Sequence, residues 1–409
     1  MAAKAQAVAQ RVLHLLLPPG VGHIVQIALR VGLGVVDGGR GELVPQCQRG
    51  KHGLDAARAA QQMAGHALGA DHGHLLGVCA EHGVDGGSLA GICSKLDYLA
   101  SLSVTTLYLC PIFESASNHR YNTADYRAID PMLGAEEDFR TLCREAEKRG
   151  IRVLLDGVFN HNGSTSRYFN ADGFYPEPGA AQSKDSPYYP WYRFTHWPDG
   201  YDAWWGVHTL PAVNEECPSY REFIVDGEDS VVRHWLRLGA SGWRLDVADE
   251  LPDDFIADIR AAMEQEKPDS ILLGEVWEDA SNKRAYGVSR RYFVDGELDS
   301  VMNYPWRNAI VAFLTDADDG TALGESLMTL AENYPPEVLS CMMNHLGTHD
   351  TPRILTVLGE PFRGTKDERA HRRMTPVQRK TALMRLRMAA FLQFTLPGMP
   401  CIYYGDEAG

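Results

Sequence analysis

From Gly86 onward, apolar residues recur at helical and strand spacings in alternation. Leu89, Ile92, Leu96, Leu99 and Leu102 fall three or four apart, which predicts a helix over 89–102. The β-branched and aromatic run at 104–109 reads as a strand. An amphipathic helix follows over 135–148, with Phe139, Leu142, Cys143 and Ala146 on one face and Gly150 at its end. Residues 151–159 are almost continuously apolar, as expected of a strand covered on both faces. Beyond them the pattern predicts helix 220–238, strand 242–247, helix 253–265 and strand 270–277. Three further strands at 298–303, 339–346 and 400–404, with a helix over 379–394, complete the series. Strands and helices alternating in this way predict parallel βαβ units.

Seven strands are expected, and an eight-stranded barrel needs one more before Leu89. The chain ends just after the last strand, so the expectation is a barrel lacking its first strand and closing helix. The segment 161–218 is too long and too aromatic for an ordinary connection. It holds Tyr188, Tyr189, Trp191, Tyr192, Phe194, Trp197, Tyr201, Trp204 and Trp205, and reads as an inserted subdomain. Most of these rings are expected to form its own core, with two or three left for a ligand.

Composition separates the first 85 residues from the rest. No Phe, Tyr or Trp occurs before Tyr98, and no helical or strand period persists there. Aromatic rings supply much of a core's buried area, so 1–85 reads as an anomalous segment, disordered or mistranslated. The formal net charge of −15 argues against a nucleic-acid or anionic-membrane partner, since both need a basic face. No run of about 20 apolar residues is present to span a bilayer. Eight scattered cysteines without a C-x-x-C pair point to reduced thiols and a cytoplasmic location.

Chemistry-bearing side chains recur at the C-terminal ends of the expected strands, where barrel enzymes carry their active sites. Asp156 and His161 close one such segment. Arg244 and Asp246 lie two apart on the next, so both point to one face. Glu275 and Trp277 end Leu-Leu-Gly-Glu-Val-Trp, and His349 with Asp350 follows Asn-His-Leu-Gly-Thr. A single strand-end acid is often only a helix cap. Four such segments in order, each behind an expected strand, are hard to obtain by chance.

With these residues the chain resembles the α-amylase superfamily of glycoside hydrolases, from about Gly86 to Gly409. The stretch Ser-Asn-His-Arg-Tyr-Asn-Thr-Ala-Asp-Tyr at 117–126 and Leu-Pro-Ala-Val-Asn at 210–214 are similar to its neopullulanase, cyclomaltodextrinase and maltogenic amylase branch. The second stretch departs from that branch's usual Pro-Lys-Leu-Asn. The resemblance implies an α/β fold, a (β/α)8 TIM barrel over 86–409, with an inserted subdomain at about 161–218 after the third barrel strand.

It also implies a retaining mechanism on the α-1,4 glucosidic bonds, with α-1,6 bonds left open, of maltodextrins, cyclodextrins or pullulan. Asp246 is then the nucleophile, Glu275 the acid/base and Asp350 the third carboxylate, which grips sugar hydroxyls. Arg244 is expected to keep Asp246 ionised and aimed, and the negative charges of Asp246 and Asp350 to keep a proton on Glu275. His161 and His349 bind hydroxyls, Tyr121 stacks on the sugar, and Asn214 and Trp277 complete the binding set. The chemistry requires no cofactor and no catalytic metal, while a structural calcium is compatible with the resemblance. The expected partner is an α-glucan oligosaccharide; oligomeric state is left open. Three alternatives stand beside hydrolysis: transglycosylation by the same residues, a catalytically dead binding homologue, and an inactive fragment. Presence of all three acids argues against the second.

Overall fold

The computed structural model describes residues 88–294, 296–359, 364–365, 368 and 371–407, so the expectation for 1–85 falls outside the described residues. The chain divides between Val301 and Met302 into two compact units.

The first unit begins with α1 (Leu89–Cys93) and α2 (Leu96–Ser101). The single helix expected here is broken at Ser94, whose hydroxyl donates back to the Gly91 carbonyl at 2.7 Å. Strand β1 (Thr106–Tyr108), the hairpin of β2 (Phe113–Ser115) and β3 (Thr123–Ile129), α3 (Glu136–Glu147) and β4 (Arg152–Gly157) follow. A short antiparallel pair, β5 (Phe194–His196) and β6 (Gly200–Tyr201), lies within the long aromatic segment. Next come α4 (Pro218–Arg221), a π turn, α5 (Val231–Leu238), β7 (Gly242–Leu245), α6 (Asp253–Glu266) and β8 (Ile271–Gly274). The small hairpin of β9 (Arg284–Ala285) and β10 (Val288–Ser289), then β11 (Ser300–Val301), complete the unit. Here too one expected helix, 220–238, is interrupted. The π turn ends at Gly227, which is not helical, and Ser230 caps α5 by accepting from Arg233 N–H.

β1, β4, β7, β8 and β11 form one sheet in that order, and every pairing is parallel. Their C-terminal ends therefore share one edge. β4, β7, β8 and β11 are buried along almost their whole length, so both faces of the sheet are covered there. Phe113, Phe139 and Tyr126 surround Trp235, whose indole N–H donates to the Tyr126 carbonyl at 2.9 Å. Phe159 packs on Trp243 with ring centroids 5.4 Å apart. Entry to β7 demands a glycine: Gly242 sits at φ +147, and a Cβ there would come within 1.9 Å of the Ile271 carbonyl oxygen.

The second unit contains α7 (Tyr304–Leu314), α8 (Gly320–Asn333), α9 (Pro336–Ser340), β12 (Met343–His345), α10 (Ile354–Gly359), α11 (Pro376–Thr395) and β13 (Met399–Cys401). β12 and β13 pair in parallel. Its core gathers Ile310, Leu323, Leu346, Ile354, Leu358 and Ala389. The strand expected at 339–346 starts later than its apolar run, since Pro336–Ser340 is helical. Among the described residues, no helix is long and apolar enough to cross a membrane.

Candidate active site

Register brings four charged side chains to the C-terminal edge of the parallel sheet. Asp156 on β4 lies opposite Arg244 on β7, and Leu245 lies opposite Gly274. One step further, Asp246 N–H donates to the Gly157 carbonyl at 3.1 Å and Glu275 N–H to the Leu245 carbonyl at 3.0 Å. Asp246 and Glu275 thus leave the sheet at the same level.

Arg244 has no exposed side-chain surface, and three carboxylates hold it. Nη1 donates to Asp156 Oδ1 and Asp246 Oδ1, both at 2.8 Å, and Nη2 lies 3.1 Å from Glu275 Oε2. Burial alone would lower the guanidinium's pKa, but the carboxylates outweigh it and keep the cation protonated. Asp156 is closed off on its other oxygen, Oδ2, which accepts from Tyr108 Oη at 2.6 Å and Tyr121 Oη at 2.8 Å. With every oxygen occupied and 1% of its surface exposed, it acts as an anchor for the cluster.

Burial pushes the Asp246 carboxyl well above its usual range; Arg244 opposes the rise, while Glu275 and Asp156 add to it. Arg244 acts in the expected direction, favouring the ionised form of Asp246. The contact is present, but one cation serves three buried carboxylates, and desolvation prevails. Asp156 is raised for the same leading reason.

Glu275 is fixed by two donors and an ion pair. Its Oε2 accepts from the Val247 backbone N–H at 2.9 Å, besides facing Arg244, and its Oε1 accepts from the Trp277 indole at 3.0 Å. Val247 reaches that position only by adopting φ +42, a left-handed conformation rare for a β-branched residue.

His161 is buried and stacks on Trp204, with centroids 5.2 Å apart. Burial lowers its pKa to about 3, so the ring is neutral at physiological pH. Its Nδ1 faces Asn160 Oδ1 at 3.3 Å, and Asn160 Nδ2 donates to Glu215 Oε1 at 3.1 Å. Tyr121 is half-buried, its hydroxyl tied to Asp156. Trp277 is 45% exposed beyond its bond to Glu275. The Asn214 side chain is held by Arg193 Nη2 at 2.8 Å.

His349 and Asp350 belong to the second unit, directly after β12. Their side chains pair, Nε2 to Oδ2, at 3.1 Å, and Asp350 N–H donates to the Thr348 hydroxyl. The first unit therefore brings together Asp246, Glu275, Arg244, Tyr121 and Trp277, with Asp156 and Tyr108. His349 and Asp350 form a pair of their own.

Several participants escape a reading by motif. Tyr108 ends β1, in a run that reads only as β-branched and aromatic, and only the need of buried Asp156 for donors points to it. Glu250 accepts from the Trp205 indole at 3.1 Å and from the Tyr286 hydroxyl at 2.7 Å, although both rings are more than three-quarters exposed. In the aromatic segment Phe169, Tyr192, Phe194 and Tyr201 pack on one another, as do Tyr168 and Trp191. Trp205 stays at the surface, 76% exposed. Among the described residues, no group of three or more His, Cys, Asp or Glu is arranged to hold a metal ion.

The sequence pattern of the α-amylase catalytic domain matches residues 55–409. An amylopullulanase of Thermoanaerobacter thermohydrosulfuricus is 41% identical over 358 residues, which cover 79% of this chain and 23% of that protein. A cyclomaltodextrinase of Geobacillus thermopakistaniensis is 36% identical, with 79% of this chain and 50% of the relative covered. Among solved structures, a cyclic α-maltosyl-(1→6)-maltose hydrolase from Arthrobacter globiformis superposes with a TM-score of 0.64 at 33% identity, covering 79% of this chain and 66% of that one. The chain thus spans from about a quarter to about half the length of these two curated relatives.

Proposed function

This chain belongs to the α-amylase family, and on that premise we propose that it is a retaining hydrolase of α-glucosidic bonds in maltodextrins and related glucans. The observation that carries the reading is the single buried guanidinium of Arg244 shared by Asp156, Asp246 and Glu275 at one sheet edge. Such a site can supply one carboxylate to attack and another carboxyl to give a proton.

In the first displacement, Asp246 attacks the anomeric carbon while Glu275 passes its proton to the glycosidic oxygen. The C–O bond breaks and the shortened glucan leaves. In the second, Glu275 takes a proton from water, whose oxygen attacks the same carbon and releases Asp246. Both oxygens of Glu275 are held for this exchange, Oε2 by the Val247 N–H and Oε1 by the Trp277 indole N–H. Asp246 attacks in its ionised form, and the Arg244 guanidinium beside it balances that charge.

Asp350 takes the part of the family's third carboxylate, and His349, His161, Tyr121, Asn214 and Trp277 those of sugar-binding groups. Support for these roles is the motif each occupies, together with the geometry of His161, Tyr121 and Trp277. The architecture we propose is the eight-stranded barrel with residues 161–218 as an inserted subdomain, supported by the five parallel strands and the self-packed aromatic segment. The reaction needs no cofactor on this reading, and the location is cytoplasmic. Relatives named for cyclomaltodextrin and for cyclic maltosyl-(1→6)-maltose support substrates with α-1,4 and α-1,6 links.

Transfer to a second sugar is the alternative outcome. Trp205 and Tyr286, exposed and fixed on Glu250 close after Asp246, would favour an acceptor ring over water. The test is release of reducing ends from β-cyclodextrin and pullulan by the full chain, with the first-formed anomer followed by NMR. Products of retained configuration support the proposal, and absence of cleavage of either glucan counts against it.

A further inference from the structure

We propose that the outward faces of α8 and α11 form a self-association surface, on which a second copy of this chain docks. The inference concerns the second unit alone and is independent of the reaction.

Helix α11 turns Ala382, Ala389 and Gln393 to the core, where all three are buried. The opposite side is where a solvated helix carries its polar residues. In α11 that side holds Val377, Met384, Met388 and Phe391, which are 45% to 76% exposed. At 3.6 residues per turn these four fall within about 60° of one another around the axis. Single exposed apolar residues are ordinary, but four in one row mark a contact surface. Methionine suits such a face, since its unbranched side chain adapts to a partner.

Charge identifies the occupant. α11 carries four cations, Arg379, Lys380, Arg385 and Arg387, and no acid, on a chain whose net charge is −15. α8 carries two acids, Glu325 and Glu332, and no cation. Its Leu323 and Leu330 are buried, while Glu325, Met328 and Glu332 are exposed on the opposite side. Lys380 and Arg387 border the apolar row seven residues apart, and Glu325 and Glu332 flank Met328 at the same spacing. That spacing is about 10.5 Å along a helix. Arg385 is taken by Asp316 at 2.8 Å. Among the described residues, Lys380, Arg387, Glu325 and Glu332 have no ion-pair partner. The basic row matches the acidic row in length and opposes it in sign, and within one chain the two do not meet.

Both helices belong to one core, since Leu323 of α8 and Ala389 of α11 lie in the same cluster. A two-fold axis beside them sets each α11 against the α8 of the other copy, so every contact is made twice. An anionic lipid surface is a poorer match, because the acidic row would face it as well.

Sedimentation velocity on the full chain, over rising concentration, tests the pairing. Wild type is expected to reach twice the monomer mass, and added salt to weaken the association. Lys380→Glu with Arg387→Glu sets like charges against each other at both contacts and should raise the dissociation constant at least about 10-fold. Adding Glu325→Lys and Glu332→Lys restores opposite signs and should recover the wild-type value. All four positions are exposed, so Tm should change little. Should a reversed variant fail to fold, Met384→Gln in the same row replaces it, with loss of association again expected. A wild-type chain that stays monomeric overturns the proposal, whether or not it sediments with anionic vesicles. So does a dimer indifferent to the double reversal, or one that the fourfold variant fails to restore.

Discussion

The backbone N–H of Val247 donates to Glu275 Oε2 at 2.9 Å, tying the residue after Asp246 to the facing carboxyl. Val247 accepts a left-handed φ of +42 to make this bond, a conformation that costs on the order of 1–3 kcal/mol. The turn after β7 therefore sets both acids in a single step: it ends the strand just before Asp246 and aims the amide after it at Glu275.

Glu275 is the proposed proton donor, and on that proposal its loss should be felt according to the leaving group. Glu275→Gln is expected to lower kcat on maltotriose by about 10³-fold. With an α-glucoside bearing dinitrophenolate, which leaves without a proton, the bond-breaking step should be nearly unimpaired. Equal losses on both substrates would remove Glu275 from the acid role.

Arg244 serves three carboxylates without exposing any side-chain surface. Arg244→Met leaves those acids buried beside one another with no cation, a change expected to cost about 3–5 kcal/mol of stability. Denaturant unfolding at pH 7 measures it. A loss below about 1 kcal/mol would show that the cluster relaxes into water instead.

Glu215 gives stability a pH dependence of defined sign. Burial raises its pKa from 4.5 to about 8, so the folded state binds the proton more tightly than the unfolded state. Its contribution is fully present below pH 4.5 and is lost as pH rises through about 8. Glu215→Gln does not titrate. Relative to wild type, that variant should gain roughly 1.4 kcal/mol per pH unit within this window. Melting curves of the two proteins at pH 5 and pH 8 provide the comparison, and parallel behaviour would contradict the assignment.

Trp205, 76% exposed, should be removable at little cost in stability. Trp205→Ala is expected to shift Tm by no more than a few degrees, as exposed substitutions do. If the ring receives an acceptor sugar, the ratio of transfer to hydrolysis at high maltose should fall several-fold. An unchanged ratio would leave transfer without its structural support.

Much of this arrangement is legible in the chain, for physical reasons that differ from part to part. Each of the seven expected strands overlaps an observed one, although the last runs over Met399–Cys401 and not 400–404, because strands covered on both faces are largely apolar and so stand out. Asp156, Arg244, Asp246 and Glu275 could be read together because a parallel sheet brings all its strand ends to one edge. Helix continuity was less legible: the breaks at Ser94 and Gly227 depend on local hydrogen bonds that leave the apolar spacing intact. The hairpin partner β3 mixes polar residues into a buried strand, so its alternation is masked. Glu215 and Tyr108 could not be found by pattern at all, since each is defined by the buried group it serves. The balance of charge at Asp246 likewise depends on how many acids share one guanidinium, which spacing does not reveal.

The central claim is that Asp246 forms the bond to the sugar. A fluorinated glucosyl fluoride that rapidly glucosylates the enzyme, with loss of fluoride, and turns over slowly would trap the intermediate, and peptide mass spectrometry would locate it. The account predicts one glucosyl adduct on the peptide carrying Asp246, absent in Asp246→Asn. An adduct on another carboxylate, or cleavage that yields products of inverted configuration without any adduct, would contradict it.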